Sequence, residues 1–510
     1  MNNFLRSLRR DKLISEGDYN SMFSTGCQTG ILYGLPKVHK EGVPLRPILS
    51  ARNTYNYRLA KSLVPVLQPI TQSPFSLKDS FHFIKDIVEV DATECVMASF
   101  DVTSLFTNIP LNETIDLCIE GLETAGLLNE RLGKRNVKQL LSMAVKDSVF
   151  LFDGQAYTQV DGVAMGSPLG PTLANAFMAF HETKWLSECP AHFKPLYYRR
   201  YVDDTFAVFK NAEQCQLFLS YLNKQHSNIK FTLEMEKNGS LPFLDVLVQR
   251  NGAQLTTSVY RKPTFTGLGM KFTSCLPSFY KVNLIKTLVH RAYAISSSFS
   301  FFDDDIWFLK DFFCNNGFPL DLVEKVMGKT ITKLVTDSAP LERTRPEFRV
   351  QIIVDFWGRA SYKFKNQLLN LMKEYYPTTD VRVIFKASRT VGSFFSFKDK
   401  IPSNLQSGVV YHYSCGCCSA SYIGQTSRHF QTRIYEHLGI SPRTNKVLES
   451  PKYSAIREHV QQCNSRVDIN DFHILHRASK WDLPLLETIF TAMRKPTLGC
   501  HEQSISTVCF

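Results

Sequence analysis

Two adjacent aspartates, Asp203 and Asp204, stand between Tyr201-Val202 and the apolar run Thr205–Phe209. Like charges on neighbouring residues of a half-buried turn repel unless a cation neutralises them. Alone, the pair reads as a solvated hairpin, because aspartate is common in turns. It has company: Asp101, in ASFDVTSLFTNIP, occupies a second strand–loop junction. Phosphoryl transfer with two divalent ions needs carboxylates from different strands that hold the metals within about 4 Å of each other. A chain under that requirement must build a sheet whose strand ends meet at one edge.

The rest of the sequence sets the scale. At 510 residues it exceeds what one hydrophobic core usually supports, so two or more domains are expected. A net charge of +12 suits a polyanionic partner, since each phosphate neutralised releases counterions. The opening MNNFLRSLRRDKLISEGD has no apolar core of signal-peptide length, and no stretch approaches the roughly 18 apolar residues that span a bilayer. The chain therefore reads as intracellular with no membrane partner, and its 13 cysteines as something other than a disulfide framework.

Gly34, Pro36, Gly42, Pro44 and Pro47 break regular structure early. From about Phe81 to Arg250, helical patterns alternate with short apolar strands, CVMASFDV, TFAVF and PFLDVLVQ, which predicts a sheet with helices packed on it. Residues 283–335 read as three amphipathic helices. A polar join, TDSAPLERTRPE, then precedes a strand–helix–strand pattern, and a second loop, FKDKIPSNLQSG, opens a small α/β domain.

The motifs around the acidic cluster make the pattern specific. YVDD resembles the metal-binding hairpin of reverse transcriptases, FDVTSLFTNIP their first carboxylate motif, and GVAMGSPLGPTLAN their template and nucleotide loop. LYGLPKVHK and PLRPILS resemble their finger motifs, and FTLEMEKNGSLPFLDVLV and TSVYRKPTFTG their later palm motifs and primer grip. The wording GLPKVHK, SLFTNIP, LPFLDV and VYRKPT is most similar to the Penelope-like retroelements, relatives of telomerase. That resemblance implies an α+β fold: a right-hand polymerase followed by a small α/β nuclease domain. The divisions it implies are partial fingers at 1–95, palm at 96–260, helical thumb at 261–340, connector at 341–405 and a GIY-YIG endonuclease at 406–500. By the same resemblance Asp101 and Asp203 would hold Mg²⁺ or Mn²⁺, with Asp204 close by and the Val102 carbonyl completing one coordination sphere. Lys37 and Arg46 would neutralise the triphosphate, and Phe106 would exclude a ribose 2′-hydroxyl. Gly166 would let the backbone approach the nucleotide, and Tyr201 would pack beside the primer terminus.

Near the C-terminus, GVVYHYSCGCCSASYIGQTSRHFQTRIYEHLG is similar to the GIY-YIG nucleases, with Val409 in place of the first glycine of the family name. Arg433 and His437, four apart, share one helical face. The resemblance assigns Tyr411 or His437 to help deprotonate water, Arg433 to steady the phosphate charge, Glu487 to hold Mg²⁺ and Tyr422 to hydrogen bond in the site. The late asparagine of the family is not evident, the corresponding stretch reading KPTLGCH. Cys415 and Cys418 form C-x₂-C and His459 with Cys463 forms H-x₃-C, spacings that fit tetrahedral Zn²⁺, with Cys417 an alternative to Cys418. Such a zinc insert also resembles that of Penelope-like nucleases.

The function these resemblances imply is RNA-directed DNA synthesis by a retrotransposon enzyme that acts in the nucleus and nicks target DNA to prime it. Its partners would be template RNA, primer or target DNA and deoxynucleoside triphosphates. The alternative is a decayed or domesticated copy that binds nucleic acid without catalysis.

Overall fold

The computed structural model describes residues 1–498 apart from 39–41, 147, 337–348, 388–389, 396–397, 443, 452 and 464–466. Five strands fall in the first third of the chain: β1 (Gly30–Pro36), β2 (Leu45–Ser50), β3 (Val96–Val102), β4 (Val149–Phe152) and β5 (Gln155–Thr158). Four of them make a sheet of order β2-β1-β4-β5. The other, β3, joins β6 (Tyr197–Tyr201), β7 (Asp204–Phe209) and β8 (Phe231–Met235) in an antiparallel sheet of order β6-β7-β3-β8.

The central strands of the second sheet, β3 and β7, are buried on both faces, and the sequence of β7 says why. Thr205 to Phe209 has no polar alternation, the pattern of a strand covered on two sides. Ala207 and Phe209 point into a large core with Ala98, Phe100 and the helices Leu111–Thr124, Gly170–Glu188 and Ala212–Gln225. Phe206 and Val208 point the other way, into a second core with Met97, Phe83 and Phe243. The Phe83 ring lies 5.1 Å from that of Phe206 and 4.8 Å from that of Phe243, both edge-to-face.

The single strand expected from PFLDVLVQ is instead a hairpin. β9 (Ser240–Phe243) and β10 (Val246–Asn251) pair as Val246↔Phe243 around a two-residue turn, with β11 (Gln254–Val259) on the far side of β10. Leu244 takes φ +56, which a leucine rarely adopts. The turn is anchored from outside: Asp245 accepts from Ser80 and pairs with Arg291 at 2.8 Å. Tertiary partners decide this bend, which apolar alternation alone does not reveal.

The three expected helices are Ser278–Ile295, Phe299–Asn315 and Leu320–Thr336, packed around their own core of Ile285, Val289, Phe313 and Val323. The strand–helix–strand unit that follows is β12 (Arg349–Asp355), the helix Arg359–Tyr375 and β13 (Asp380–Lys386), with the strands parallel. Tyr280 Oη donates to the Phe385 carbonyl at 3.3 Å and the Ser278 N–H to Tyr362 Oη at 3.0 Å, which docks this unit on the first of the three helices. The C-terminal unit is an antiparallel sheet of order β15-β14-β16, made of β14 (Val409–Ser414), β15 (Ser421–Thr426) and β16 (Phe472–Arg477). No described helix is long and apolar enough to cross a membrane.

Candidate functional site

The strand register places the acidic cluster. Asp101 near the end of β3 lies directly opposite Asp204 at the start of β7, and Asp203 occupies the turn between β6 and β7. The Val102 N–H donates to the Asp203 carbonyl at 3.1 Å, which ties that turn to β3. Three carboxylates from two strands and a turn therefore meet at one sheet edge. They open onto a cleft of about 620 Å³ that Lys37, Arg46, Glu234, Tyr260 and Lys262 also line. Burial raises the pKa of Asp203 above the ordinary carboxylate range and the charge of Asp101 raises it further, while Arg46 and Lys37 oppose the rise. Carboxylates that repel one another in a half-buried edge are a donor set for hard divalent cations, so the residues present fit the metals.

Val202, in this turn, is a β-branched residue at φ +56, a conformation that persists only when the surroundings over-determine it. Arg200 supplies that constraint. Fully buried, it donates to both carboxylate oxygens of Glu182 at 2.6 and 3.0 Å, to Asn175 Oδ1 at 3.1 Å and to the Val202 carbonyl at 2.9 Å. Sequence reading missed this pair, whose members lie on different elements, β6 and the helix Gly170–Glu188. Glu234 and Lys262 in the cleft were also not singled out, although both lie in segments that were.

The other assigned residues fall in several places. Lys37 and Arg46 flank the cleft. Tyr201 is half-exposed at the end of β6, opposite Asp204. Phe106 lies on the short helix Leu105–Asn108, partly buried against the main core, and its carbonyl accepts the Val163 N–H at 2.6 Å. It is not among the residues that line the cleft. Gly166 has φ +122, and a Cβ there would meet the Leu49 carbonyl oxygen at 2.0 Å. The close approach that this glycine allows in the structure is to β2.

In the C-terminal unit the sheet brings the paired tyrosines together. Tyr411 on β14 lies opposite Gly424 on β15, and a Cβ at Gly424 would come within 2.6 Å of both Tyr411 Oη and Tyr422 Cε1. Only glycine leaves room for the two rings. Arg433 Nε donates to Tyr411 Oη at 3.2 Å, and Tyr411 Oη lies 2.6 Å from His437 Nε2, whose Nδ1 is 2.8 Å from Ser454 Oγ. Burial, with Arg433 and Arg457 adding, pulls the His437 pKa down to about 3, so the ring is neutral and donates at one nitrogen while it accepts at the other. Burial pushes the Tyr411 phenol up, which keeps it protonated. Glu487, on the helix Leu483–Arg494, is near enough for its charge to raise both tyrosines. Of the KPTLGCH stretch, the Ser421 N–H donates to Thr497 Oγ1 and the Leu498 N–H to the Ser421 carbonyl, each at 2.9 Å; residues 499–501 lie outside the described ones.

The buried imidazole carries a pH dependence. Its folded pKa is below the unfolded value, so the unfolded chain binds the extra proton between about pH 6.5 and pH 3. The unit is expected to lose stability as pH falls through that window, by up to about 1.4 kcal/mol per pH unit. Denaturant midpoints of the parent and His437→Gln measured from pH 7 to pH 4 check this; parallel profiles would contradict it.

Cys415, Cys418, His459 and Cys463 place one ligand atom each within 4.8 Å of one another. Cys418 Sγ lies 3.4 Å from His459 Nε2, and the Cys415 thiol is pulled down to about 6, chiefly by a backbone hydrogen bond from Cys417. Cys418, not the alternative Cys417, belongs to the group. Three thiols and one imidazole are a donor set for tetrahedral zinc.

Carboxylates at one sheet edge, facing a cleft that Lys37 and Arg46 also line, are the arrangement that metal-dependent phosphoryl transfer needs. More particularly, the chain carries a reverse transcriptase domain: residues 38–270 match the family described as reverse transcriptase (RNA-dependent DNA polymerase). Reverse transcriptases use divalent metals such as Mg²⁺. Residues 270–327, which include the first two helices of the three-helix unit, match the animal helix-turn-helix domain. No curated protein matches the sequence. Solved structures similar to the chain include apo telomerase from Candida tropicalis truncated from its C-terminal domain, at 16% identity and a TM-score of 0.32 over 46% of this chain and 55% of that one. Another is telomerase from Candida albicans in complex with a fragment of telomeric RNA, at 13% identity and a TM-score of 0.40 over 72% and 62%. The RNA-dependent RNA polymerase of bacteriophage phi12 is similar at 10% identity and a TM-score of 0.39 over 64% and 59%. The chain thus spans 55–62% of the length of these structures.

Proposed function

We propose that the chain is the RNA-directed DNA polymerase of a Penelope-like retrotransposon, with a C-terminal GIY-YIG-type endonuclease that nicks target DNA in the nucleus to prime synthesis. The observation that carries the polymerase half is the convergence of Asp101, Asp203 and Asp204 at one edge of a cleft with Lys37 and Arg46. In this reading residues 96–260 are the palm, with fingers before and a helical thumb after. Asp101 and Asp203 would hold the divalent ions, helped by Asp204 and the Val102 carbonyl, and the ions would supply charge neutralisation for phosphoryl transfer. Lys37 and Arg46 draw the triphosphate into the cleft. Tyr201 packs beside the primer end, and Gly166 keeps the neighbouring loop tight against β2, holding the nucleotide pocket's shape. Primer extension on an RNA template by the purified protein tests the proposal; no extension with Mg²⁺ or Mn²⁺ present would overturn it.

Phe106 follows Asp101 by five residues, the place of the gate against ribonucleotides. Phe106→Ala or Phe106→Val is expected to admit ribonucleotides by at least about tenfold while deoxynucleotide incorporation survives, because no metal ligand is touched. Single-nucleotide incorporation assays decide it, and unchanged discrimination would return Phe106 to the core.

The nuclease half rests on the hydrogen-bonded series Arg433, Tyr411, His437 and Ser454 beside Glu487. Tyr411 Oη takes a proton from water as its own passes to His437 Nε2. The water oxygen bonds to phosphorus as the phosphorus–O3′ bond breaks, and the released 3′-oxygen takes a proton from solvent to become the primer end. Arg433 steadies the charge on the phosphate, Tyr422 hydrogen bonds in the site and Glu487 holds Mg²⁺. Zinc on Cys415, Cys418, His459 and Cys463 is structural in this reading. Cys415→Ser is expected to lower zinc content and to leave residues 406–498 sensitive to protease, since metal binding and folding are coupled. A parent protein purified without zinc, with nicking intact, would refute the zinc assignment alone.

A further inference from the structure

The C-terminal unit does not hang free of the rest of the chain. Ser407 Oγ donates to the Gly26 carbonyl at 2.5 Å, and His429 Nε2 bonds the Cys27 carbonyl. Gly26 sits at φ +66, and a Cβ there would lie 1.8 Å from the Ser427 carbonyl oxygen. Here the two parts touch backbone to backbone, an approach that only glycine permits.

Beside this joint lies a cleft of about 460 Å³, lined among others by Gly26, Gln28, Asn53, Gly408, Arg477 and Lys480. Three of these have left-handed backbone: Gly26 at φ +66, Asn53 at φ +70 and Gly408 at φ +66. Conformations of that kind gather where a binding surface has to be shaped. The walls are held by their own backbone bonds, from the Gln28 N–H to the Asn53 carbonyl at 2.8 Å and from the Ala478 N–H to the Gly408 carbonyl at 2.9 Å. Arg477 and Lys480 are exposed and, among the described residues, make no ion pair. Among the described residues, no carboxylate lines the cleft. Two cations, two side-chain amides and close-approach glycines form a surface for phosphate oxygens.

We infer, resting on the reading of the chain as a nucleic-acid polymerase, that this cleft binds the phosphodiester backbone of a single strand and leads it between the C-terminal unit and the N-terminal part of the chain. Its position suits that task. Arg477 pairs with Val409, two residues and about 7 Å along β14 from Tyr411. The opposite wall, Gln28 and Asn53, immediately flanks β1 and β2, the sheet that carries Lys37 and Arg46 near its open end. A strand seated here touches both halves of the molecule at once.

The test uses the full chain. Binding of fluorescein-labelled 30-nucleotide DNA and, separately, RNA is measured against salt for the parent, for Arg477→Glu/Lys480→Glu and for a control with the same charge change on helices elsewhere, Lys184→Glu/Lys224→Glu. Losing two phosphate contacts is expected to weaken binding at least tenfold near 0.1 M salt. It should also reduce the slope of log K against log salt by about 1.4, at roughly 0.7 per phosphate on a single strand. The DNA and RNA arms tell which strand occupies the cleft. A second measurement leaves the cations in place: p-benzoylphenylalanine at position 28 should crosslink the labelled strand under ultraviolet light, and excess unlabelled strand, but not inorganic phosphate, should suppress it. Equal weakening by the control pair, or no crosslink at position 28, would overturn the inference. Extension of a short primer–template too small to reach the cleft separates this result from the polymerase reading. Such extension should persist in the Arg477→Glu/Lys480→Glu variant, whereas its absence in the parent would count against the polymerase itself.

Discussion

Asp203→Asn is expected to abolish primer extension, and Asp101→Asn to do the same, while binding of primer–template changes little. The two residues reach the edge by different routes, one from the end of β3 and one from the turn before β7, so neither substitutes for the other. Asparagine keeps the volume and removes the charge. What is lost is one ligand's share of the stabilisation of charge in the transition state, about 4 kcal/mol or roughly three orders of magnitude in rate. The protein should remain folded. Asp203 is held above the ordinary carboxylate range by burial and by Asp101, so relieving that repulsion leaves stability equal to or above that of the parent. A slow variant with a raised denaturation midpoint is therefore the expected pair of observations. Extension within tenfold of the parent by either variant would remove these aspartates from the active site.

How much of this was legible beforehand depended on the range of the signal. The meeting of Asp101 with Asp204 followed from local patterns: an apolar run before each carboxylate, turn residues after one and before the other, and a strand period of two. The zinc-type group was also readable, because C-x₂-C and H-x₃-C are short spacings within single segments. What could not be read were the contacts that act over distance. Leu244 looked like the middle of a strand, and it bends because Asp245 is held by Ser80 and Arg291. Arg200 is buried because Glu182, in a distant turn of a long helix, supplies its charge partner. An isolated buried arginine would be prohibitively costly, so its position is decided by a residue that no local window contains. The phenylalanine at 106 illustrates the intermediate case. Its place in the chain was plain, but the direction of its ring is set by packing beside Gly170, whose added Cβ would lie 3.7 Å from the Phe106 ring.

The C-terminal site shows the same division at smaller scale. The two tyrosines and the Arg433–His437 pair follow from sequence spacing, whereas Ser454 entered only through the fold, as the partner of His437 Nδ1. That partner matters chemically. With Nδ1 donating to Ser454, Nε2 is left to accept from Tyr411, the orientation that a proton relay requires. The two base candidates that the sequence left open are joined in one hydrogen-bonded pair, Tyr411 Oη lying 2.6 Å from His437 Nε2.

Glu487→Ala should eliminate nicking of supercoiled DNA while extension from a pre-nicked or annealed primer continues at the parent rate. The selectivity follows from distance in the fold: Glu487 lies on a helix packed against β15 and β14, and the aspartate cluster lies on a separate sheet with its own core. Substitutions that share no partners are expected to act independently. Arg433→Ala should reduce nicking by about 10²-fold or more, the usual effect of removing one charge-stabilising donor at a reacting centre. It also frees Tyr411 Oη from one of its two partners, so Arg433→Lys, which keeps the charge without the planar fork, should recover only part of the rate. Measured together on one plasmid substrate, the variants give a clear reading. Loss of nicking with extension intact would place two independent active sites in one chain. Loss of both activities in Glu487→Ala would mean that the C-terminal unit supports the polymerase structurally. Nicking that survives both substitutions would remove the nuclease assignment and leave the aspartate cluster as the catalytic centre of the chain.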